Sequence, residues 1–436
     1  NEVAPSQHEL APIFDTANVA VDHNQLTMEI MKKVADKHGL ACLLHEKPFE
    51  GINGSGKHNN WSISTNTGEN LLDPGKTPDQ NIQFLVFLMA VIKAVDEYAD
   101  LMRVSAASAG NDHRLGGNEA PPAIVSIFLG DELTAVLKSI EEDTYFDEHQ
   151  SVQLETGAHV LPHFMKDNTD RNRTSPFAFT GNKFEFRMLG SSASVATPNI
   201  ILNTAVAEAL SQFAKELEGT APEDMEHAVH ELIKRAIKKH KKVIFNGNGY
   251  TEEWVEEAQK RGLYNLESTP DCLPQFISDK NVELFTKHHI FTKEEIFSRY
   301  EILLENYVKT IGIEAKTMKE MLTKDFLPAV SSYAASVSDN ALAMKALAPS
   351  VPTASAESLV SSLGDAYEKI SSALSTLDEE IQEIDKKGSM QESADYCHKT
   401  VLATMNELRA AADEAEAKIP DEELPYPTYD ALLFSV

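Results

Sequence analysis

The chain has 436 residues and carries 39 basic against 68 acidic side chains, which gives a formal net charge of −29 at pH 7. A surface this acidic repels phosphate backbones, which argues against nucleic acid as a partner. Apolar residues make up 42% of the chain, and no run approaches the roughly 18 consecutive apolar residues of a membrane helix. The length predicts two or three domains.

The cysteine pattern indicates the cellular compartment. Cys42, Cys272 and Cys397 stand far apart, without a Cys-x-x-Cys spacing. This is typical of the reducing cytoplasm, where we expect the protein to reside, and not of a disulfide framework or a zinc site. The chain begins Asn-Glu-Val-Ala-Pro, with neither an initiator Met nor a signal-peptide apolar region. We therefore expect the sequence to be part of a longer protein.

The first predicted elements lead towards a glycine-rich turn. Asn24 can cap a helix whose apolar residues share one face, and Gly39 can end that helix at the C′ position. The apolar residues 41–44 predict a buried strand. The Thr-Pro-Asp segment 77–79 is typical of a helix start. Because residues 82–102 are apolar on most sides, we expect the helix that follows to lie deep in the core.

The middle of the chain combines an insertion with a charged strand. Residues from about 128 to 168 are irregular and acidic, which predicts an insertion. Residues 177–189 alternate well enough for one strand with Lys183, Glu185 and Arg187 on one face, since alternate residues of a strand point the same way. That face would suit anion and metal binding, or equally an exposed face of a sheet.

From about residue 222 the pattern is almost entirely helical. Apolar residues recur mostly at three- and four-residue intervals over 359–384 and again over 396–408, with Gly388 between the two runs. This pattern predicts a helical hairpin that packs on itself or on a neighbour. The predicted domains are residues 1–221, 222–350 and 351–436.

The turn Asn53-Gly-Ser-Gly-Lys-His58 delivers a histidine to a strand edge. Glu2 and Glu9 precede it, and the proline between them could bend a strand so that both carboxylates reach one hard cation. Taken singly, two such glutamates are more often surface charges, and a lone histidine is more often structural.

Arg114 and Arg173 lie in turn-rich sequence farther along. Guanidinium groups on such loops suit bidentate recognition of carboxylate or phosphate, although a surface salt bridge is the commoner role of a single loop arginine. Glu119 stands before an Ala-Pro-Pro segment whose prolines stiffen the backbone. A rigid loop of this kind could hold a general base, although solvent exposure is the default.

Five motifs in order resemble the catalytic domain of glutamine synthetases, and the length and long helical tail resemble most the large type III class. The resemblance is strong over about residues 1–215 and looser beyond them. The motifs are Glu2-Val3 with Gln7-His8-Glu9, the turn 53–58, Arg114 with Glu119-Ala120-Pro121, the Arg-Asn-Arg-Thr element 171–174, and Glu185-Phe186-Arg187.

The resemblance implies an α+β fold, with an antiparallel curved sheet covered by helices in the catalytic domain and a mostly α-helical C-terminal region. It also implies two divalent cations in each site, Mg²⁺ or Mn²⁺. Glu2 and Glu9 would bind the metal nearer the substrate carboxylate. His58 and Glu185 would bind the metal nearer the ATP phosphates.

Further roles are implied for the groups that contact glutamate and ammonia. Asn53 and Gly54 would hold the glutamate amino group and the ammonia side of the site. Arg114 and Arg187 would clamp the glutamate carboxylate oxygens. Glu119 would take a proton from ammonium.

On the ATP side, the resemblance implies that Arg173 neutralises the transferring phosphoryl group, and that Asn60, Ser62 and Lys183 also contact ATP. This sequence departs from bacterial type I enzymes at three positions. Asn60 stands where those enzymes often carry His, Lys183 stands where they carry Arg, and Ala178 replaces a phosphate-contacting arginine. The ATP contacts are therefore less firmly implied than the metal ligands.

The implied activity is ATP-dependent formation of L-glutamine from L-glutamate and ammonia through γ-glutamyl phosphate. In this family the sites form between adjacent subunits of a large ring homo-oligomer, and we expect a dodecamer in which helices after residue 222 make ring contacts. The family's N-terminal β-grasp domain is expected to precede this sequence. Two alternatives stay open: a ligase that joins glutamate to an organic amine or polyamine, and a non-enzymatic structural relative.

Overall fold

The computed structural model describes residues 6–144, 172–428 and 431. Glu2, Arg171 and the part of the predicted insertion that follows residue 144 lie outside the described residues. By its internal contacts the chain divides into two compact units. One is Leu10–Tyr300, and the other combines Asn1–Glu9 with Glu301–Val436. The domain limits predicted at residues 221 and 350 stay predictions.

Helices dominate both units. In the Leu10–Tyr300 unit they are α1 (Ala17–Lys37), α2 (Ile82–Val104), α3 (Ala109–Asp112), α4 (Gly130–Glu142), α5 (Ala196–Leu217), α6 (Met225–His240), α7 (Glu252–Lys260), α8 (Thr269–Cys272) and α9 (Asp279–Lys287). Helix α10 (Lys293–Met321) contributes residues to both units. The helices that follow are α11 (Leu327–Leu347), α12 (Ala354–Ile384), α13 (Met390–Tyr396) and α14 (Leu402–Glu416), with π-helical turns at Leu322–Phe326 and Cys397–Val401.

A small sheet lies in the Leu10–Tyr300 unit. Its strands are β1 (Gly56–Trp61), β2 (Ile127–Phe128), β3 (Phe177–Phe179) and β4 (Phe184–Gly190). The order is β1-β4-β3-β2, in which β4 pairs antiparallel with β1 and with β3, and β2 runs parallel to β3. The predicted α+β class is confirmed, but the sheet is mixed and not purely antiparallel.

Strands β3 and β4 form a hairpin where the sequence predicted a single strand over 177–189. The chain turns at Gly181, which takes a φ of +93°, a left-handed conformation open to glycine at little cost. Phe177 stacks on Phe184 across the hairpin with ring centroids 4.7 Å apart, and both rings are fully buried. The single-strand prediction is wrong because phenylalanines alternate on both sides of the turn and conceal it.

Helix α1 starts well before the predicted cap at Asn24, since Thr16 occupies the N-cap position. The predicted end is confirmed: Gly39 has a φ of +70° and its N–H donates to the carbonyl of Asp36. None of the residues of α1 is buried. Residues 41–44, predicted as a buried strand, are irregular and pair with none of β1–β4, because an apolar run forms a strand only where it finds a pairing partner.

Helix α2 is the buried core helix that the sequence predicts. Leu88, Met89 and Ile92 are fully buried, and the helix packs against both α5 and α6. It begins a few residues later than the segment 77–79, because the side chain of Asn81 accepts a hydrogen bond from the Phe84 N–H at 3.1 Å and caps the first turn.

The predicted helical hairpin in the last hundred residues is confirmed, since α12 and α14 pack against each other. Five of the side chains that the periodicity placed in the interface are fully buried: Leu363, Ile370, Leu377, Val401 and Leu408. Leu359, Ile381 and Tyr396, which follow the same spacing, are half-buried. Over the described part of the chain, no helix is both long and apolar enough to cross a membrane.

Candidate active site

Strand β1 sends alternate side chains to two faces. On one face the Asn59 amide donates to Asn199 Oδ1 at 3.1 Å, and the Trp61 indole donates to a second asparagine of α5 at 2.8 Å. This face therefore anchors the strand to α5. His58 and Asn60 lie on the other face and are exposed.

His58 and Glu185 meet across the β1–β4 pair. His58 Nδ1 lies 3.1 Å from Glu185 Oε1, and the imidazole is 49% exposed whereas the carboxylate is buried. Asn60 pairs directly with Glu185 in the register, so His58, on the same face two residues away, reaches the carboxylate diagonally. The sequence placed these two side chains in one site, and the structure brings them together.

Arg187 holds the other oxygen of Glu185. Its Nε and Nη2 donate to Glu185 Oε2 at 3.0 and 2.7 Å, while its Nη1 donates to the carbonyl of Asn172 at 2.6 Å. Burial by itself raises the pKa of Glu185, but the hydrogen bond with His58 and the Arg187 guanidinium outweigh burial and bring the pKa to about 2. Glu185 is therefore ionised at neutral pH, with Oε1 directed to His58.

Glu119 is held at both carboxylate oxygens. Asn53 Nδ2 donates to Oε2 and Arg173 Nη1 donates to Oε1, each at 2.7 Å. Asn118 and Glu119 have φ values of 51° and 65°, a left-handed conformation that persists in non-glycine residues only where the surroundings impose it. Three residues predicted from separate motifs thus form one cluster, in which the Arg173 side chain is 79% exposed.

Arg114 is buried beneath the glycine turn. Its Nη2 donates to the carbonyl of Arg187 at 3.1 Å and its Nη1 to the carbonyl of Met188 at 3.3 Å. A Cβ at Gly56 would overlap the guanidinium, so glycine is required there for the close approach. Burial lowers the pKa of Arg114 to about 10. Arg114 couples the turn to β4, and its predicted contact with glutamate stays a prediction.

Three of the side chains predicted to contact ATP, Asn60, Ser62 and Lys183, lie near the end of β1 and the β3–β4 turn. Ser62 Oγ lies 2.6 Å from Asn70 Oδ1, to which it donates, and 3.2 Å from the carbonyl oxygen of Asn182. Asn182 precedes Lys183 in the β3–β4 turn, so Ser62 and Lys183 are near neighbours, and Asn60 is exposed two residues before Ser62. Their role in nucleotide binding stays a prediction.

The Asn-Gly-Asn-Gly-Tyr loop of residues 246–250 supports the Arg173 segment. Asn172 Nδ2 donates to the carbonyl of Gly247 at 2.8 Å, and the Gly249 N–H donates to Thr174 Oγ1 at 2.8 Å. Sequence reasoning missed this loop. Its repeated Asn-Gly pairs are a turn signal that could have been used, but nothing in them indicated which part of the chain the loop would contact.

Tyr250 is a second residue that sequence reasoning missed. Burial raises the pKa of its phenol, and the negative charge of Glu119 raises it further, while Arg114 and Arg187 act in the opposite direction. The phenol therefore lies within electrostatic range of Glu119 and of both arginines. No motif pointed to this tyrosine, because its place in the site follows from the folding of a distant loop.

Comparison with known proteins identifies the family. One family model, the glutamine synthetase catalytic domain, matches residues 1–125, and another, the glutamine synthetase C-terminal domain, matches residues 228–345. The chain belongs to the glutamine synthetase family. Similar glutamine synthetases include one from Butyrivibrio fibrisolvens, 56% identical, a type-3 glutamine synthetase from Dictyostelium discoideum, 45% identical, and one from Bacteroides fragilis, 40% identical.

These three glutamine synthetases match the whole of this chain, and the chain spans 60–62% of their length. The activity, substrates and partners of the whole protein are therefore treated as proposals below. The family expected from the five sequence motifs is confirmed.

The divalent cations expected of a glutamine synthetase can be tested against the donors present. An imidazole and an ionised carboxylate lie side by side at His58 and Glu185, a donor pair that fits a divalent cation. Within the ranges that the structure describes, no three His, Cys, Asp or Glu side chains form a metal-binding group. Glu9 is exposed and belongs to the unit that contains Glu301–Val436, and Glu2 lies outside the described residues. The metal-binding roles of all four residues stay predictions.

Proposed function

We propose that the full-length protein forms L-glutamine from L-glutamate and ammonia at the expense of ATP, through γ-glutamyl phosphate. The observation that carries this proposal is the cluster in which Glu119 is held by Asn53 and Arg173. Asn172 joins this cluster to the pair Glu185–Arg187, because its carbonyl accepts from Arg187.

The first step activates a poor electrophile. The side-chain carboxylate of glutamate attacks the terminal phosphorus of ATP, and ADP leaves. Arg173, whose guanidinium is largely exposed beside Glu119, would offset the charge on the transferring group. When bound, the two cations held by Glu2, Glu9, His58 and Glu185 would supply further neutralisation of the phosphate oxygens.

The second step needs ammonia in place of ammonium. One oxygen of Glu119 would accept the proton, after which the nitrogen attacks the acyl phosphate carbon and inorganic phosphate leaves. Donors at both oxygens fix the carboxylate in one orientation, and a positioned side chain of this kind suits general base catalysis. The left-handed backbone at Asn118 and Glu119 restricts the loop in the same way.

Replacement of the proposed base tests this mechanism. Glu119→Gln should lower glutamine formation by about 10²–10⁴-fold, the range typical of a general base, while ATP binding is retained. The measurements are phosphate release with ammonium and equilibrium binding of a nucleotide. Unchanged turnover would exclude Glu119 as the base.

The same phosphate-release assay separates the alternatives. A panel of organic amines and polyamines, compared with ammonium at equal concentration, distinguishes a glutamine-forming enzyme from a glutamate–amine ligase. Metal-dependent release of ADP that also requires glutamate distinguishes either ligase from a non-enzymatic relative. Preference for ammonium together with metal-dependent ADP release is the result expected here.

We further propose that the protein assembles into a large ring homo-oligomer, a dodecamer, with active sites between adjacent subunits, and that it acts in the cytoplasm. The helices after residue 222 include surfaces that the chemistry does not use. Among these, the α12–α14 hairpin packs against α11 through α12 and is remote in sequence from the site residues, which supports a role in assembly.

A further inference from the structure

Glu46 is a buried carboxylate to which the chemistry proposed above gives no role. It lies in the irregular segment between α1 and β1 and is 4% exposed. Its backbone carbonyl accepts a hydrogen bond from the Ser55 N–H at 2.8 Å, inside the glycine turn. Its Oε1 accepts from the Ser192 N–H at 3.0 Å and from the Ser192 hydroxyl. One residue thus joins the glycine turn to the segment that follows β4.

Three glycines are explained by the space that Glu46 occupies. A Cβ at Gly54 would lie 2.5 Å from the Glu46 carbonyl oxygen, one at Gly110 would lie 2.6 Å from Oε2, and one at Gly190 would lie 2.5 Å from Oε1. None of the three has the left-handed backbone that favours glycine. Glycine is therefore required at these positions by the close approach of Glu46, and not by backbone conformation.

The three contacts connect the elements that carry the predicted glutamate site. Gly54 is in the turn that holds Asn53, and Gly110 is in α3, four residues before Arg114. Gly190 ends β4, the strand that carries Arg187. The backbone carbonyl of Glu46 contacts the first of these elements and its carboxylate contacts the other two, so a displacement of this residue would be felt by all three.

Glu46 is also an anion close to the buried guanidinium of Arg114. Burial lowers the pKa of Arg114 to about 10, and the negative charge of Glu46 opposes this effect. Removing the charge would leave the guanidinium without that compensation. Glu46 is thus suited to stabilise Arg114 electrostatically as well as to fill space.

We propose that Glu46 is a positioning residue that fixes the turn at Asn53-Gly54 and the Arg114 side chain against β4, and thereby sets the affinity for glutamate. The proposal rests on the proposed function, because it assigns a substrate to the turn. Glu46 contributes both a charge and a volume, and substitutions can remove these two contributions one at a time.

The first experiment removes the charge and keeps the shape, in the full-length assembled enzyme. Glu46→Gln should raise the KM for glutamate by about 10-fold, the effect of replacing a charged hydrogen-bond acceptor by a neutral one, and leave the KM for ATP within about twofold. A role confined to space filling would leave both constants unchanged, and that result would overturn the proposal. Glu46→Asp, which keeps the charge on a shorter side chain, should recover part of the loss.

A second experiment tests the contact between Glu46 and Gly190 through the free energy of unfolding. It does not require the variants to be active. Glu46→Ala and Gly190→Ala should each destabilise the protein, but the double variant should lose less than the sum, because the new Cβ enters the space that Glu46 vacates. Gly364→Ala in α12 is the matched control, since a Cβ there meets nothing within 4 Å. Strict additivity of the two single effects would refute the contact.

These outcomes remain distinct from failure of the proposed function. If the unaltered enzyme forms no glutamine, the proposed function is wrong, and the stability cycle still tests the geometry. If the unaltered enzyme is active and Glu46→Gln has an ordinary KM for glutamate, only the role of Glu46 is wrong.

Discussion

Glu208 offers a quantitative test of how the Leu10–Tyr300 unit is held together. It is a buried residue of α5, and it accepts hydrogen bonds at 2.7 Å from Gln212 on its own helix and from Lys287 on α9. Its Oε2 lies 2.6 Å from His288 Nε2. Replacement by Gln removes the charge with little change of volume and loosens the tie between α5 and α9.

The magnitude follows from the ionisation of this carboxyl. Burial raises the pKa of Glu208, but the hydrogen bonds from Lys287, Gln212 and His288 outweigh burial and lower it from 4.5 to about 2. A lowering of this size corresponds to about 3 kcal/mol of stability at neutral pH. Because the pKa is lower in the folded state, the stabilisation is complete above about pH 4.5 and is lost as the pH falls through about 2. Glu208→Gln should therefore cost about 2–3 kcal/mol at pH 7, and the cost should shrink towards pH 2.

The assay is urea unfolding at several pH values, with hydrogen exchange in α9 as a local measure. Glu320→Gln is the control, because Glu320 forms an exposed ion pair with Lys324, four residues farther along the chain, and such pairs contribute little. Two results would refute the reasoning: a loss at pH 7 no larger than that of the control, or a loss that is undiminished near pH 2.

Three further predictions concern the site and the assembly. Gly56→Ala should lower kcat on the order of 10²-fold, because the added Cβ displaces Arg114. Gly364→Ala is the control, and a near-normal kcat would contradict the close packing of Arg114 on Gly56. His58→Asn should raise the Mn²⁺ concentration for half-maximal activity by about 10- to 100-fold, and an unchanged titration would argue against His58 as a ligand. Truncation before α12 should reduce the mass of the assembly in light scattering, and an unaltered mass would exclude the α12–α14 hairpin from assembly.

Much of the fold could be predicted where a pattern is long. The apolar character of α2 and the three- and four-residue spacing over α12 and α14 each extend over many turns, so local exceptions did not obscure them. Boundaries were less accurate because cap residues also occur inside elements. Asn24 has the chemistry of a cap but lies within α1, and the Thr-Pro-Asp segment 77–79 forms a turn ahead of the true cap at Asn81.

The candidate site was predictable where its residues belong to recognisable sequence motifs. The pairs His58–Glu185 and Glu119–Arg173 join motifs distant in sequence, and the family resemblance was needed to connect them. Glu46 and Tyr250 were not predictable, because the groups that surround each of them lie far away along the chain. A single glutamate or tyrosine carries no local signal of such a partner.

The two faces of β1 have different roles, which limits the sequence changes that this short strand can accept. Asn59 and Trp61 fasten it to α5, while His58 and Asn60 serve the open side. Inserting or deleting one residue would exchange the two groups, sending the imidazole towards the helix and an anchor into the reaction space. A single substitution here alters one side chain, whereas a shift in the register of the strand would abolish the anchorage and the proposed chemistry together.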